Sequence, residues 1–437
     1  MRLLRLIALI ASAWLVATPS GASPSDGVGS QAAQAARISV VTFGPGDHPF
    51  ARFGHNALLV EDPRTGQGLV FNFGTFSFDS LSLVPRFLRG DLRYWLSVSS
   101  WRSTLEAYRR ADRSIVVQRL NLSAEQTRKL VTALRVNALP ENRSYAYHFY
   151  RDNCSTRVRD AIDETIGGRL RALTAEQPAR MGFREHTARM LAGDLALRLA
   201  LDGALGPAVD VAITRHDELF LPEELQRALR EIEVERDGER VALVASERVL
   251  HRAERPATAS APPSPTLGML ALGGATAAVV LGLALLGRRS SGARRAYFVI
   301  CVGIGALAGV LGLACLALWL LTDHTVAHRN ANLLQVSPVG LALAGALLIR
   351  REGGAKRLLP LSGLLLMSSL AGLGLHLIGA EQKNLAFIAL WLPIWSGVAA
   401  GAVALRRAAA GRAAVGQAAT GERQRTRGRS PISAPPA

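Results

Sequence analysis

Apolar residues are distributed along the chain in two manners. Up to about residue 260 they alternate with polar ones or recur at short intervals, and beyond it they gather into long runs. Five such runs occupy about 266–287, 296–321, 332–349, 358–379 and 385–405. Each is near the roughly 20 residues that a bilayer core demands of a helix. They predict an all-α transmembrane region of five helices. The third run is the weakest, because Asn332, Gln335 and Pro338 stand in its start, so its first turn is expected at the membrane interface. In the first part, Arg37 to Phe43 (RISVVTF) and His55 to Val60 (HNALLV) have the length and β-branched content of strands. Gly68 to Phe73 (GLVFNF) reads as the return strand of a hairpin through Asp62-Pro63-Arg64-Thr65-Gly66. Ser123-Ala124-Glu125-Gln126 has the form of a capping box that starts a helix towards Asn137, with Pro140 forbidding its continuation. Val158, Ala161, Ile162 and Ile166 recur at helical spacing and Gly167-Gly168 is a natural stop, so Cys154 falls in the first turn of an amphipathic helix. The pattern predicts an α+β domain over 37–254, with a small sheet, followed by the helical membrane region.

The ends carry address information. Arg2 and Arg5 precede the short apolar run Leu6 to Ala17, and Ser20-Gly21-Ala22 offers small residues for cleavage, so residues 1–22 read as an export signal peptide. Residues 255–265, rich in Pro, Ala and Ser, form a linker to the first span. Residues 406–437 are a basic tail of low complexity, expected to be unstructured.

Charge changes the picture of orientation rather than of ligand. The formal net charge is +17, which by itself would suggest nucleic acid, yet residues 6–260 carry 32 Lys and Arg against 30 Asp and Glu. The excess lies beside the apolar runs. The segments 288–295 and 350–357 hold four cations each and the tail seven, whereas 322–335 holds only Arg329 and 380–384 only Lys383. Fifteen cations against two predict, by the positive-inside rule, a cytoplasmic tail and a periplasmic N-terminal domain in a multi-pass protein of the inner (cytoplasmic) membrane. Nucleic acid is excluded as the expected partner.

Three cysteines are present, and only Cys154 lies in the exported domain, which therefore has no internal disulfide. A thiol left free in an oxidising compartment is either packed or used. At a helix N-terminus it meets unpaired N–H groups and the positive end of the macrodipole, both of which favour a thiolate. The flanking residues, Asp152-Asn153-Cys154-Ser155-Thr156, are polar, unlike an apolar core site. A nucleophilic thiol needs a base, and His55, on a strand in FGHNALL, is the candidate. Asn72, on the return strand of the same hairpin, is the candidate third member that would hold the imidazole tautomer, with Asn56 and Asp152 as competitors. No cofactor and no metal are expected. His48 and Asp47 lie in a Gly/Pro loop, FGPGDHPF, whose reading is an exposed loop.

At FGHNALL, VFNFG and YRDNCSTRVRDAID, and over roughly residues 37–225, the sequence resembles the periplasmic domain of the Lnb-type lipoprotein N-acyltransferases. More distantly it is similar to circularly permuted papain-like thiol enzymes, in which the histidine strand precedes the cysteine helix. The resemblance implies a permuted papain-like core with Cys154 as nucleophile and His55 as base. It also implies a phospholipid acyl donor, a thioester on the enzyme and the N-terminal amine of a lipoprotein as acceptor. The same pair of residues also suits a periplasmic thiol peptidase or amidase acting on cell-wall peptide, and a packed Cys154 suits a non-catalytic envelope receptor or assembly protein.

Overall fold

The structure is a computed structural model, which describes residues 36–76, 86, 89–91, 93–236, 238–349 and 354–427. The expected signal at 1–22 lies outside the described residues. Contacts divide the chain into two compact units interleaved in sequence. One comprises Met1–Phe76, Arg93–Gln177 and Leu219–Arg255, the other Ser77–Leu92, Pro178–Glu218 and Pro256–Ala437.

The first unit is built on β1 (Arg37–Phe43), β2 (His55–Glu61), β3 (Gly68–Thr75), β4 (Arg93–Ser100), β5 (Ile115–Leu120) and β6 (Ser144–Ala146), with β7 (Glu233–Arg236), β8 (Glu239–Ala242) and β9 (Val244–His251) near its end. Seven of them make an antiparallel sheet in the order β6-β4-β3-β2-β1-β5-β9, and β7 and β8 form a separate hairpin. The β2–β3 hairpin closes where expected. The Asp62 carbonyl accepts from the Gly66 N–H at 2.8 Å, and Gly66 takes a φ of +69° that a side chain would resist. The two-residue period of the strands then sorts side chains to opposite faces. Ile38, Val40, Leu58 and Phe71 point into one core, while Val41, Phe43, Ala57, Leu59 and Val70 point into the other.

Helix α1 (Trp101–Arg110) covers the second face with Trp101, Leu105 and Tyr108. Helices α2 (Ala124–Ala138) and α3 (Cys154–Thr165) cover the first through Leu130, Val131, Leu134, Val158 and Ile162. Helix α2 carries the capping box read from sequence, with Ser123 and Gln126 bonded reciprocally. This is an α+β architecture, and its layers bring the start of β2, the end of β3 and the start of α3 to one end of the sheet.

The second unit contains α4 (Phe183–Met190), α5 (Leu195–Ala204), α6 (Thr266–Leu286), α7 (Ser291–Leu320), α8 (Val339–Ile349), α9 (Gly354–Leu377) and α10 (Leu385–Arg427). Four helical stretches are long and apolar enough to cross a membrane: Thr266–Leu286, Ser291–Leu320, Arg357–Leu377 and Leu385–Ala414. The count becomes five if Thr325–Leu334 and Val339–Ile349, bent by 49°, are one broken span.

The span expected over 332–349 is at most a broken one, with its helix confined to Val339–Ile349. Helix α8 has 11 residues, a rise of about 16 Å, too short for a bilayer core. The residues before it turn as a short 3-10 helix, Ala331–Leu334, in which Asn332 is buried. Pro338 lacks an N–H, and irregular backbone among apolar helices is tolerated only where its polar groups find partners. Here they do: the Gln335 carbonyl accepts from Trp395 Nε1 at 2.9 Å, the Leu334 carbonyl from Ser368 Oγ at 3.0 Å, and the Gln335 side chain pairs with Ser369.

A second correction concerns the tail. Helix α10 continues past residue 406 to Arg427, as its alanine-rich sequence favours; residues 428–437 lie outside the described residues.

Residues 178–218 join the apolar helices through a buried polar lattice. Carbonyls at the C-terminal end of α5, which no helical N–H can serve, accept from side chains of the segments between α7 and α8 and between α9 and α10: Gly203 O from Asn330 Nδ2 at 2.7 Å and Asn332 Nδ2 at 3.0 Å, and Leu205 O from Gln382 Nε2 at 3.1 Å. Arg184 of α4 is buried and paired with Asp210 and Asp202 at 2.8 and 2.7 Å.

Candidate functional site

Cys154 opens α3, and Asn153 caps that helix from within the protein. The Asn153 Oδ1 accepts from the Ser155 and Thr156 amides at 2.9 and 3.0 Å, while its Nδ2 donates to the carbonyls of Phe149 at 2.8 Å and Phe220 at 3.1 Å. Thr156 Oγ1 accepts from the Asn153 amide at 2.7 Å, completing a capping box. Four bonds around one side chain fix where the first turn starts and hence where the thiol stands. The sulfur is met by the backbone amide of Asn56, by its own amide and by that of Ser155. The Asn56 amide belongs to the peptide that joins it to His55, so β2 and α3 bring the two candidate residues to the same end of the sheet.

His55 is held on three sides. Phe43 lies opposite it in the β1–β2 register, with ring centroids 5.9 Å apart, and Tyr108 of α1 stacks on Phe43 at 3.6 Å. The imidazole Nε2 lies 3.4 Å from Asn72 Oδ1. The orientation of that amide follows from its other contacts, because Asn72 Nδ2 donates to Ser99 Oγ at 3.1 Å and to the Val70 carbonyl at 3.3 Å, which leaves Oδ1 for the ring. An acceptor at Nε2 selects the tautomer with the proton there and the lone pair on Nδ1. Of the three residues the sequence left open for this place, only Asn72 reaches the ring among the described residues. Asn56 turns its side chain to Thr42 Oγ1 at 2.9 Å, and Asp152 is held by Arg157, with one contact at 2.7 Å.

Between the strands and the thiol lies Gly74, at a φ of +85°. A Cβ at that position would stand 3.5 Å from Cys154 Cβ, 3.5 Å from Tyr147 Cε2 and 3.8 Å from Tyr145 Oη. Glycine thus leaves an atom-sized gap beside Cys154 Cβ. Tyr145 is clamped under Arg157, whose guanidinium lies 4.0 Å from the ring centroid. Arg113 is buried with Nε on the Gly44 carbonyl at 2.7 Å and its guanidinium 4.7 Å from the Tyr108 centroid. Its Nη2 has no partner among the described residues.

The electrostatics correct one expectation. Burial pushes the Cys154 thiol above its ordinary value, and the amides of Asn56 and Ser155, the Arg113 charge and its own amide only partly offset that. Burial first and Arg113 second pull His55 down to about 4, against the Asn72 bond, which raises it. The resting pair is a neutral thiol and a neutral imidazole rather than the thiolate the helix start alone would favour, because desolvation outweighs the helix-terminal dipoles. The amides at the helix start are also partly committed, since Asn153 occupies those of Ser155 and Thr156.

Gly74, Tyr145 and Arg113 were not singled out for this site from the sequence. The return-strand motif VFNFG contains Gly74, but nothing in the local pattern marks Arg113, which follows a surface turn. The loop residues Asp47 and His48 are engaged otherwise: Asp47 pairs with Arg255 at 3.0 Å and His48 stacks on Phe50 at 5.4 Å.

Residues 28–191 match the family model of the Lnb N-terminal periplasmic domain. The resemblance drawn from FGHNALL and DNCST therefore holds over a stretch that contains His55, Asn72, Tyr145 and Cys154. No curated protein and no solved structure matches the chain. A stretch that matches the Lnb N-terminal periplasmic domain, followed by four or five helices apolar enough to cross a membrane, points to an inner-membrane protein.

Proposed function

We propose that this protein is a membrane-bound, Cys/His-dependent acyltransferase. It would move an acyl chain from a phospholipid, through a thioester on Cys154, to the N-terminal amine of a lipoprotein. What supports the reading is that the peptide amide between His55 and Asn56 bears on Cys154, while Asn72 Oδ1 lies 3.4 Å from His55 Nε2. The order of elements, a histidine strand before a cysteine helix, supports a permuted papain-like core. Fifteen flanking cations against two support an inner-membrane protein with the domain in the periplasm and the basic tail in the cytoplasm.

The chemistry follows from the neutral pair. His55 Nδ1 takes the thiol proton as sulfur attacks the ester carbonyl, so that no standing thiolate is required. The C–S bond forms, the tetrahedral adduct collapses, the C–O bond breaks, and the imidazolium gives its proton to the departing lysophospholipid oxygen. An unprotonated amine then attacks the thioester, His55 takes its proton, and the amide forms as the thiol is released and reprotonated. Exclusion of water around the half-buried Cys154 once substrate covers it favours amine over hydrolysis. Donor and acceptor both reside in a bilayer, so tethering the domain to apolar helices raises their effective concentration.

The test is incubation of the purified protein with phospholipid vesicles, followed by mass spectrometry for a hydroxylamine-labile acyl adduct on Cys154. An adduct in the wild type, lost in Cys154→Ala and strongly slowed in His55→Ala, is expected. A folded protein that gives no adduct but cleaves cell-wall peptide would replace this reading by a thiol peptidase. Full activity of Cys154→Ala in cells would refute both.

A further inference from the structure

Acyl transfer places negative charge on the carbonyl oxygen while the C–S bond forms, and that charge requires hydrogen-bond donors aimed at it. The helix start is a poor source here, because Asn153 Oδ1 takes the amides of Ser155 and Thr156 at 2.9 and 3.0 Å. The amides of Asn56 and of Cys154 itself act on the thiol, favouring its charged form. Across the Gly74 gap from Cys154 Cβ stands a donor of a different kind. Tyr145 Oη is buried and donates to no acceptor among the described residues. A buried hydroxyl proton without an acceptor forfeits about 1–3 kcal/mol, so its retention calls for an acceptor that arrives with a ligand.

Building on the acyltransferase reading, we infer that Tyr145 is a further catalytic residue. Its hydroxyl donates to the acyl carbonyl oxygen in the gap that Gly74 leaves beside Cys154. Three features make the geometry suitable. An atom at the position of the missing Gly74 Cβ is 3.5 Å from Cys154 Cβ and 3.8 Å from Tyr145 Oη; an oxygen entering there needs to move by about 1 Å towards the phenol to reach hydrogen-bond distance. The φ of +85° reserves the position for glycine, so the gap stays open. The ring is fixed from outside the site by Arg157, stacked at 4.0 Å and itself paired with Asp152, which holds the hydroxyl in place before substrate arrives. Burial above all keeps the phenol far above its ordinary value against a weaker pull from the Gly74 amide, and any negative charge arising on Cys154 acts in the same direction, so it remains protonated. In the reaction, sulfur adds to the carbonyl carbon and the π pair moves to oxygen, where Tyr145 O–H holds it without giving up its proton. Collapse returns the pair and breaks the C–O bond.

Tyr145→Phe tests this, since it keeps the ring and its stacking and removes only the donor. Two reactions of Cys154 separate the roles: acylation by a p-nitrophenyl ester, which passes through an oxyanion, and alkylation by iodoacetamide, which does not. Acylation slowed about 100-fold, with alkylation within about twofold of wild type, is the expected result. Loss of both in parallel would make Tyr145 a residue that positions or protects the thiol, and unchanged acylation would dismiss it; either overturns the inference. The phospholipid arm is read separately. A wild type acylated by the activated ester and not by phospholipid would remove the lipid reading while leaving the comparison of Tyr145→Phe intact. A wild type acylated by neither would overturn both.

Discussion

Asn153 is the residue on which the placement of the thiol depends most directly, and its replacement has a calculable cost. In Asn153→Ala, two amides at the start of α3 lose the acceptor they meet at 2.9 and 3.0 Å, and the carbonyls of Phe149 and Phe220 lose donors at 2.8 and 3.1 Å. Removal of a helix cap costs about 1 kcal/mol. Each buried carbonyl left without its donor adds about 1 kcal/mol, for roughly 3 kcal/mol in all. For a domain of about 150–250 residues, 1 kcal/mol corresponds to about 2–4 °C, so a fall in Tm of roughly 6–12 °C is expected in a thermal scan of the detergent-solubilised protein followed by tryptophan fluorescence. Asn153→Asp separates the two halves of the interaction. It keeps the acceptor for both amides and gains a favourable charge at the helix start, but it loses both donated bonds and places a negative charge beside the sulfur. Its expected loss is about 2 kcal/mol, together with slower iodoacetamide alkylation of Cys154 than in wild type. Both variants melting within 1 °C of wild type, or Asn153→Asp melting higher, would refute the view that this side chain holds the turn.

Three further outcomes are expected. Since His55 lies at about 4 in the folded protein against an ordinary 6.5 in the unfolded chain, the unfolded state binds the extra proton between those values. The contribution of His55 is therefore complete above about pH 6.5 and is lost as pH falls towards 4, with a ceiling of about 3 kcal/mol that partial exposure of the ring reduces. The wild-type Tm should drop further than that of His55→Gln between pH 7 and pH 4.5, and parallel drops would contradict the buried neutral ring. A resting thiol raised by burial predicts that alkylation of Cys154 climbs continuously from pH 6 to pH 9. A plateau below pH 7, the mark of a thiolate–imidazolium pair, would show the resting charge state to be otherwise. In the second unit, Asn332→Ala removes bonds at 3.0 Å to the Gly203 carbonyl and to Asn384 Nδ2 from a fully buried side chain. About 2–3 kcal/mol of destabilisation is expected, seen as faster hydrogen exchange in α5, and unchanged exchange there would mean the lattice does not fasten that helix.

Much of this site is written locally in the chain. The alternation in RISVVTF and HNALLV fixes which residues share a face of the sheet, the hairpin turn sets the β2–β3 register, and a polar cap before an amphipathic stretch places Cys154 in a first turn. These are short-range effects of backbone period and capping, which is why β1, the hairpin and the start of α3 agree with the expectation to within a residue or two. The strand of apolar residues from 332 to 349 misled for the opposite reason. Hydropathy registers composition, whereas the bend at Asn332 to Pro338 depends on partners such as Ser369 and Trp395 that lie far along the chain.

Tertiary structure alone decided the rest. It selected Asn72 over Asn56 and Asp152, because the amide that meets an imidazole is chosen by cross-strand geometry. It brought Arg113 and Tyr145, 41 residues from Cys154 in one case and 9 in the other, to the same end of the sheet. It also reversed the expected charge state, since a helix terminus is legible in sequence but the depth of burial around it is not. The chain by itself determined that a thiol would open a helix and that apolar helices would follow; the packed fold determined that the thiol rests protonated, beside a gap that only glycine leaves open.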